Sequence, residues 1–358
     1  MIERALVIEA AEAHAVIQNQ RDAAVAALVE VFRNRAAQAW REFGEDAVRE
    51  MRDEAHRLLD HFEASIAGYT SSPLVRYLLW LRDVLTARQA APDAVPLCLD
   101  RLDAVFGDTA SASARAALYG VLREVQYALR WHRHATDWRI HSPPDSRGYA
   151  EFEAALVAGD HVLAQQLFRA ALERQRDPVA AAVELVQPAL YSIGRKWQDN
   201  QISVAQEHLA TAIVEALLAE TAHAHGRGGP EDSSSMLALA PGNRHSVGLR
   251  IVADALAEAG WNTHTLPAGG DVHAILEAVA RERPQVLAVS VSLAHHLLTT
   301  RALFTRVRSR LGPAAPQLLL GGLAVAEYPD IARSMEDIIL VPDVRDLGQT
   351  LRTLAKVA

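Results

Sequence analysis

The last third of the chain alternates apolar runs typical of strands with patterns typical of helices. The apolar runs cover residues 236–240, 286–291, 317–320 and 338–341, with a weaker one at 261–266. Helical patterns such as 247–259 and 273–283 separate them. Strands that alternate with helices form a parallel sheet with helices on both faces. We therefore predict a five-stranded parallel sheet of the flavodoxin or Rossmann type over residues 236–358.

Two loop-forming stretches divide the rest of the chain. They are HSPPDSRG at 141–148 and GRGGPEDSSS at 226–235, both rich in glycine, proline or serine and poor in apolar residues. The predicted domains are accordingly an all-helical region over 1–140, a second helical region over 148–225, and the α/β region over 236–358.

The first region has apolar residues at helical spacing, such as Leu58, Leu59, Phe62 and Ile66. Its breaks near Gly44, 68–73, 90–96 and 107–111 leave room for five or six helices. That pattern favours a globin-like or similar all-helical fold over a long coiled coil.

Helix-start signals divide the middle region into four short helices. Asp160 and Asp177 are candidate N-caps, the latter followed by Pro178, and Ser203 with Gln206 forms a candidate capping box. Because only a brief connection separates the third and fourth helices, Trp197, Glu207 and His208 are predicted to lie at the same end of a four-helix bundle.

Composition and charge exclude several classes of function. The net charge of −8 favours neither a nucleic-acid backbone nor an anionic membrane, and no apolar run is long enough to span a bilayer. Cys98 is the single cysteine, so the chain has no disulfide framework. The first residues lack the basic and apolar segments of a secretory signal, and we expect a cytoplasmic protein.

Ligands of parallel α/β sheets bind beyond the carboxyl ends of the strands. The loops to consider are therefore 241–248, 290–296 and 321–329, which all hold small or polar residues.

The first of these loops resembles the Asp-x-His-x-x-Gly signature of cobalamin-binding domains, with Asn243, His245 and Gly248 at the three positions. The resemblance implies that His245 is the lower cobalt ligand and displaces the cofactor's own base. It also implies that the displaced nucleotide tail lies along the α/β region. The residues at the tail-lining positions are Ser290, Ser292, Gly321 and Gly322.

An acid is usual at the position of Asn243. The asparagine oxygen can still accept the imidazole proton but adds no negative charge. We therefore expect His245 to be a less basic ligand than in the acidic version.

The middle region resembles the cap of light-sensing adenosylcobalamin proteins of the CarH type. Trp197, Glu207 and His208 match its residue types and spacing, which implies that they pack over the adenosyl face. One residue departs from the pattern, because Gln198 stands where that type has a histidine that can take the upper cobalt position. Since an amide nitrogen is a poor cobalt ligand, we expect water, or His208 after a shift, at that position after illumination.

The first region lacks the basic recognition helix of that type, so we do not expect direct DNA binding. It is more similar to the photocobilin arrangement, in which a globin-like domain holds biliverdin beside the corrinoid. The candidate bilin contacts are Tyr77, Trp80, Arg82, Tyr119, Arg123 and Tyr127. Ordinary helix packing in a partner-binding or dimerising bundle is an equally good interpretation of these residues. Cys98 lies among aliphatic residues, which favours a small buried side chain over a covalent bilin attachment.

Taken together, the resemblance implies a non-enzymatic light sensor that binds adenosylcobalamin, with biliverdin as a second chromophore. Its output is expected through homo-oligomerisation or a downstream protein. A corrinoid methyl carrier of a methyltransferase system is the alternative, and a receiver-like module without cobalamin is a third interpretation. The loop after the first strand lacks the acidic cluster that a receiver needs.

Overall fold

The computed structural model describes residues 2–131, 148–224, 234–347 and 350. They group into two compact units. The first unit holds the described residues up to 131 together with Gln198–Gln201, and the second holds the other described residues. None of the described helices is both long and apolar enough to cross a membrane.

The first unit is all-helical over residues 2–131, as predicted. Between its second and third α-helices the chain forms 3₁₀ turns over Ala37–Asp46, which are interrupted at Gly44, where φ is +54°. The six α-helices are α1 (Ile2–Asn19), α2 (Arg21–Arg35), α3 (Ala47–Ala67), α4 (Ser72–Ala87), α5 (Ala94–Gly107) and α6 (Ala112–Trp131). One apolar core, which includes Phe32, Phe62 and Phe106, joins them. The predicted breaks agree with the interruptions between these α-helices to within a few residues.

A buried polar network joins α3 to α4 inside this core. The Glu54 carboxylate, only 5% exposed, accepts hydrogen bonds from the Tyr77 hydroxyl and from Arg57 Nη2 at 2.6 Å. The Tyr77 ring stacks on His61 with centroids 4.0 Å apart, and His61 Nδ1 lies 2.8 Å from the Arg57 carbonyl oxygen. A buried carboxylate is tolerated only when it is paired and hydrogen-bonded, so each donor to Glu54 is needed.

Replacing Tyr77 with phenylalanine is expected to lower the free energy of unfolding by about 1–3 kcal/mol, because Glu54 loses a buried donor. Burial, followed by the neighbouring Glu54 carboxylate, raises the pKa of Tyr77 well above its usual value. A raised pKa stabilises the folded state below the ordinary tyrosine pKa, and that contribution is lost as the pH rises above it. The wild type should therefore lose more stability than Tyr77→Phe between about pH 8 and about pH 10.5.

Urea unfolding at the two pH values measures both effects. Tyr69→Phe is the matched control, because Tyr69 is 55% exposed. If Tyr77→Phe were as stable as Tyr69→Phe, the network would not contribute to stability.

The middle region is a four-helix bundle, as predicted. Its helices are α7 (Tyr149–Ala158), α8 (His161–Gln175), a third helix made of α9 (Pro178–Ala181), a π-helical turn (Ala182–Val186) and α10 (Gln187–Gln198), and α11 (Val204–Ala224). Asp160 caps α8 and Asp177 caps α9 through their side chains. Ser203 and Gln206 exchange side-chain and backbone hydrogen bonds of 3.0 and 3.3 Å at the start of α11. The predicted caps are confirmed.

The α/β region is a five-stranded parallel sheet with strand order β2-β1-β3-β4-β5. Its elements are β1 (Ser234–Leu239), α12 (Val247–Glu258), β2 (Asn262–Thr265), α13 (Val272–Glu282), β3 (Val286–Ser290), α14 (His296–Leu311), β4 (Gln317–Gly321), α15 (Leu323–Glu327), α16 (Pro329–Arg333) and β5 (Ile339–Val341). This is the flavodoxin-like order, and the predicted fold class is confirmed. The weak pattern of β2 has a physical reason, since this edge strand buries none of its residues fully.

Helix α12 packs between the bundle and the sheet. Val247, Ile251 and Ala255, spaced four residues apart, belong to the apolar core of the bundle. Leu249 and Leu256, on another face of α12, pack into the core of the sheet. The loop that leads into α12 is therefore held on both sides.

Candidate functional site

The strand order reverses between β1 and β3, which is where open α/β sheets bind their ligands. The connection after β1 runs through residues 240–246, and the connection after β3 runs through residues 291–295. Both begin at the carboxyl edge of the sheet, and the backbone N–H of Ala240 donates to the Ser290 carbonyl oxygen at 3.0 Å. The two loops named by the sequence are thus brought together.

Asn243 links these two loops and orients His245. Its side chain is fully buried, and its Nδ2 donates to the Ser290 carbonyl oxygen at 3.1 Å and to Ser292 Oγ at 3.2 Å. Its Oδ1 accepts from the His245 backbone N–H at 3.0 Å and lies 3.0 Å from His245 Nδ1. Both ends of the amide are therefore engaged.

These contacts determine which nitrogen of His245 is free to bind a metal. The Ser290 carbonyl can only accept, so the asparagine NH₂ must face it and Oδ1 must face His245. Because Oδ1 can only accept, the proton of the imidazole lies on Nδ1. The lone pair is then on Nε2, in the tautomer that metal-bound histidines adopt when a second group holds Nδ1.

The protonation state of His245 also suits a metal ligand. Surrounding protein atoms partly desolvate the ring and lower its pKa, although the residue keeps access to solvent. The Glu207 carboxylate on α11 has the smaller, opposite effect. A neutral imidazole at pH 7 is a good ligand for a transition metal ion.

Gly321 ends β4 and Gly322 follows it, and the chain's own packing requires both to be glycines. A Cβ at Gly321 would lie 2.8 Å from the Val341 carbonyl oxygen. At Gly322 it would lie 2.5 Å from the Val291 carbonyl oxygen, and the φ of +102° disfavours any side chain. Gly248 differs, because a Cβ there has no atom within 4 Å.

The three residues predicted for the cap lie on α10 and α11. Trp197 is half-buried near the end of α10 and packs against the core of the bundle. In the first turn of α11, His208 Nδ1 lies 2.5 Å from Glu207 Oε2, and Thr211 Oγ1 donates to Glu207 Oε1 at 3.2 Å. The His208 side chain is 75% exposed. Glu207 and His208 therefore pair with each other in this structure, and Gln198 is buried.

Sequence reasoning missed two features of the site. Ser246, next to His245, donates a short hydrogen bond to Glu215 on α11, which ties the loop to the bundle. His296 is 6% exposed and begins α14. Burial, followed by the nearby His245, lowers the pKa of His296 to about 4. A histidine pair inside the apolar run LAHHLL, directly after β3, was the available signal.

The candidate bilin contacts divide between the core and the surface of the first unit. Tyr77 is buried and stacks against Trp80 with ring centroids 5.4 Å apart. Arg82 donates to the Leu129 carbonyl oxygen at 3.0 Å. On the outer face of α6, Tyr119 and Tyr127 are exposed, and the Arg123 guanidinium lies 5.6 Å from the centre of the Tyr119 ring.

Cys98 is completely buried in the core of the first unit, and burial raises the pKa of its thiol. It therefore behaves as the small buried side chain that the sequence favoured.

Two family models, each described as "B12 binding domain", match residues 149–220 and residues 234–347. The matches indicate a corrinoid cofactor. They cover the bundle and the α/β region, the two parts of the chain for which the sequence predicted corrinoid binding.

Two individual proteins extend this comparison. The HTH-type transcriptional repressor CarH of Myxococcus xanthus is 26% identical over 275 residues, which span 76% of this chain and 82% of the repressor. The monomethylamine corrinoid protein of Methanosarcina barkeri is similar in fold, with a TM-score of 0.50 at 14% identity over 61% of this chain and 100% of that protein.

Gly322→Ala is expected to lower the free energy of unfolding of the corrinoid-free protein by about 3 kcal/mol or more. The alanine Cβ would clash with the Val291 backbone, and the positive φ would strain the alanine backbone. Gly248→Ala is the matched control. It should raise the stability by up to about 1 kcal/mol, since alanine favours the helix and the space is open. Urea unfolding compares the two variants. Equal stability of Gly322→Ala and the wild type would contradict the close approach to Val291.

Proposed function

We propose that this protein is an adenosylcobalamin-dependent light sensor, in which His245 is the lower cobalt ligand and the four-helix bundle caps the upper face. The observation that carries the proposal is the Asn243 amide, which holds a neutral imidazole with its Nε2 lone pair free at the switch point of the sheet. A single protein imidazole would suffice for a metal that a macrocyclic cofactor already holds.

When bound, adenosylcobalamin supplies a cobalt–carbon bond that light can break. The protein's part is to orient, shield and respond. Asn243 holds the ring of His245. Trp197 offers a large apolar surface to cover the upper face, and Glu207 and His208 offer hydrogen bonds to ribose and base. For that role, the exposed His208 ring must leave its contact with Glu207 or share it.

The connection between His245 and the cap supports a route for the signal. Ser246 donates to Glu215 on α11, and Glu207 near the start of the same helix acts on His245 electrostatically. A change in the position of His245 or in the space above it therefore acts on α11 directly. The response is a rearrangement of the cap that alters association between copies of the chain or with a downstream protein.

Gln198 bears on the state after illumination. Its amide is a poor cobalt ligand, so water, or His208 after a shift, would take the upper position after illumination.

We also propose that the first unit binds biliverdin as a second chromophore. The exposed rings of Tyr119 and Tyr127 and the Arg123 guanidinium on α6 support it, because a bilin has a flat conjugated system and two carboxylates. A red absorption band after addition of biliverdin, reduced in Arg123→Ala, tests this part by itself.

The central experiment records absorption spectra of the protein reconstituted with adenosylcobalamin in the dark and after illumination. We expect a corrinoid spectrum that changes with light, and a change in oligomeric state measured by light scattering. His245→Ala should lose imidazole coordination and most of the binding. His264→Ala is the matched control, because His264 lies on the edge strand β2 and pairs with Glu282.

A bound corrinoid whose spectrum and assembly do not respond to light, together with stable binding of methylcobalamin, would favour the methyl carrier. The absence of any bound corrinoid would reject both functions.

The role of Asn243 gives a separate prediction. Asn243→Ala should lower the affinity for hydroxocobalamin by about 10–100-fold, because an outer partner of a metal-bound histidine is lost. Asn243→Asp should retain more of the affinity than Asn243→Ala, since a carboxylate accepts the same proton and adds negative charge, although it cannot donate to the Ser290 carbonyl. Isothermal titration measures both variants. Equal losses in the two variants would show that packing, and not acceptance of the imidazole proton, is what the site requires.

A further inference from the structure

We propose that His296 is a further cofactor-binding residue, whose imidazole hydrogen-bonds the nucleotide tail of cobalamin and makes the site specific for corrinoids that carry that tail. This inference rests on the proposed function, because it requires a cobalamin bound through His245.

The His296 ring is a buried polar group that the protein itself leaves unsatisfied. The residue is 6% exposed, and its Nδ1 is buried without a hydrogen-bond partner among the described residues. An unpaired buried nitrogen is destabilising, and buried polar groups are nearly always paired. An exception at the first residue of α14, next to the strand-end loops, indicates a partner that binds there.

The surrounding backbone holds the ring directly beside the loop that carries His245. Thr300 Oγ1 donates to the His296 carbonyl oxygen at 2.8 Å, and Thr299 Oγ1 lies 3.3 Å from the Pro241 carbonyl oxygen, which it can reach as a donor. A Cβ at Gly242 would lie 3.5 Å from His296 Nε2. Gly242 directly precedes Asn243, so His296 lies next to the loop that holds the proposed cobalt ligand, His245.

The geometry of cobalamin places its tail on this side. The nucleotide hangs from the lower face of the corrin ring, and a protein histidine in the lower position displaces the nucleotide's own base. The displaced tail must then lie on the same side of the ring as His245, toward the strand ends. It carries a phosphate, ribose hydroxyls and a benzimidazole nitrogen, each of which can pair with an imidazole nitrogen.

The other small or polar residues of the site do not need the tail to explain them. Asn243 and Ser292 pair with each other, and the backbone of Val341 and Val291 explains Gly321 and Gly322. His296 is different, because the described residues provide no partner for its buried nitrogen.

The test compares hydroxocobalamin with cobinamide, which has the same corrin ring but no nucleotide. His296→Phe fills the same space without a hydrogen bond, and His296→Asn places an amide where Nδ1 was. We expect His296→Phe to bind hydroxocobalamin about tenfold more weakly than the wild type, for one lost hydrogen bond, with unchanged cobinamide affinity. His296→Asn should recover most of the loss. His264→Phe, at an exposed histidine, should change neither affinity.

Each outcome decides the inference. Equal weakening toward both corrinoids, or no weakening in His296→Phe, would overturn it, since a purely structural histidine cannot distinguish the two ligands. If His296→Phe does not fold, the His296 imidazole ¹⁵N resonances of the wild type serve instead. They should move with cobalamin and stay in place with cobinamide, and identical responses would overturn the inference. If the wild type bound neither corrinoid, the proposed function would fail first.

Discussion

The arrangement of the site depends on one buried amide. Asn243 donates to the Ser290 carbonyl and to Ser292, and that geometry leaves its oxygen for His245. Because a carbonyl only accepts, no other orientation of the amide satisfies both neighbours. The tautomer of His245 and the direction of its free lone pair follow from this contact. An aspartate would supply charge, but it could not donate to the Ser290 carbonyl. The asparagine therefore links two strand-end loops and leaves His245 a less basic ligand.

The same loop is attached to the bundle, and the proposed sensor would use this attachment. Helix α12 presents Val247, Ile251 and Ala255 to the bundle and other residues to the sheet, so it has little freedom to move alone. Ser246 is bonded to Glu215 on α11. In the proposed sensor, a ligand that moves His245 would act on α11 through this contact. A sensor needs such a coupling, whereas a carrier that exchanges its upper ligand needs only an accessible face.

Several features of the fold could be predicted because they depend on local sequence. The Asp160 and Asp177 caps and the Ser203–Gln206 box act within one helical turn. The buried strands were visible because both faces of a parallel sheet are covered. Strand β2 gave a weaker signal because it lies at the exposed edge. Tyr77 could not be assigned, since its aromatic ring suits a ligand site as well as the buried network with Glu54 that the fold uses.

The sequence by itself determined the helical or α/β class of each region and the strand-end loop with His245, because these depend on periodicity and on the spacing of residues within a few turns. Only the tertiary structure decided which groups meet across the chain. The pairing of Asn243 with Ser290, the tie between Ser246 and Glu215, and the unsatisfied nitrogen of His296 all join or border segments distant in sequence. Such contacts are set by how strands and helices pack, and no local pattern specifies them.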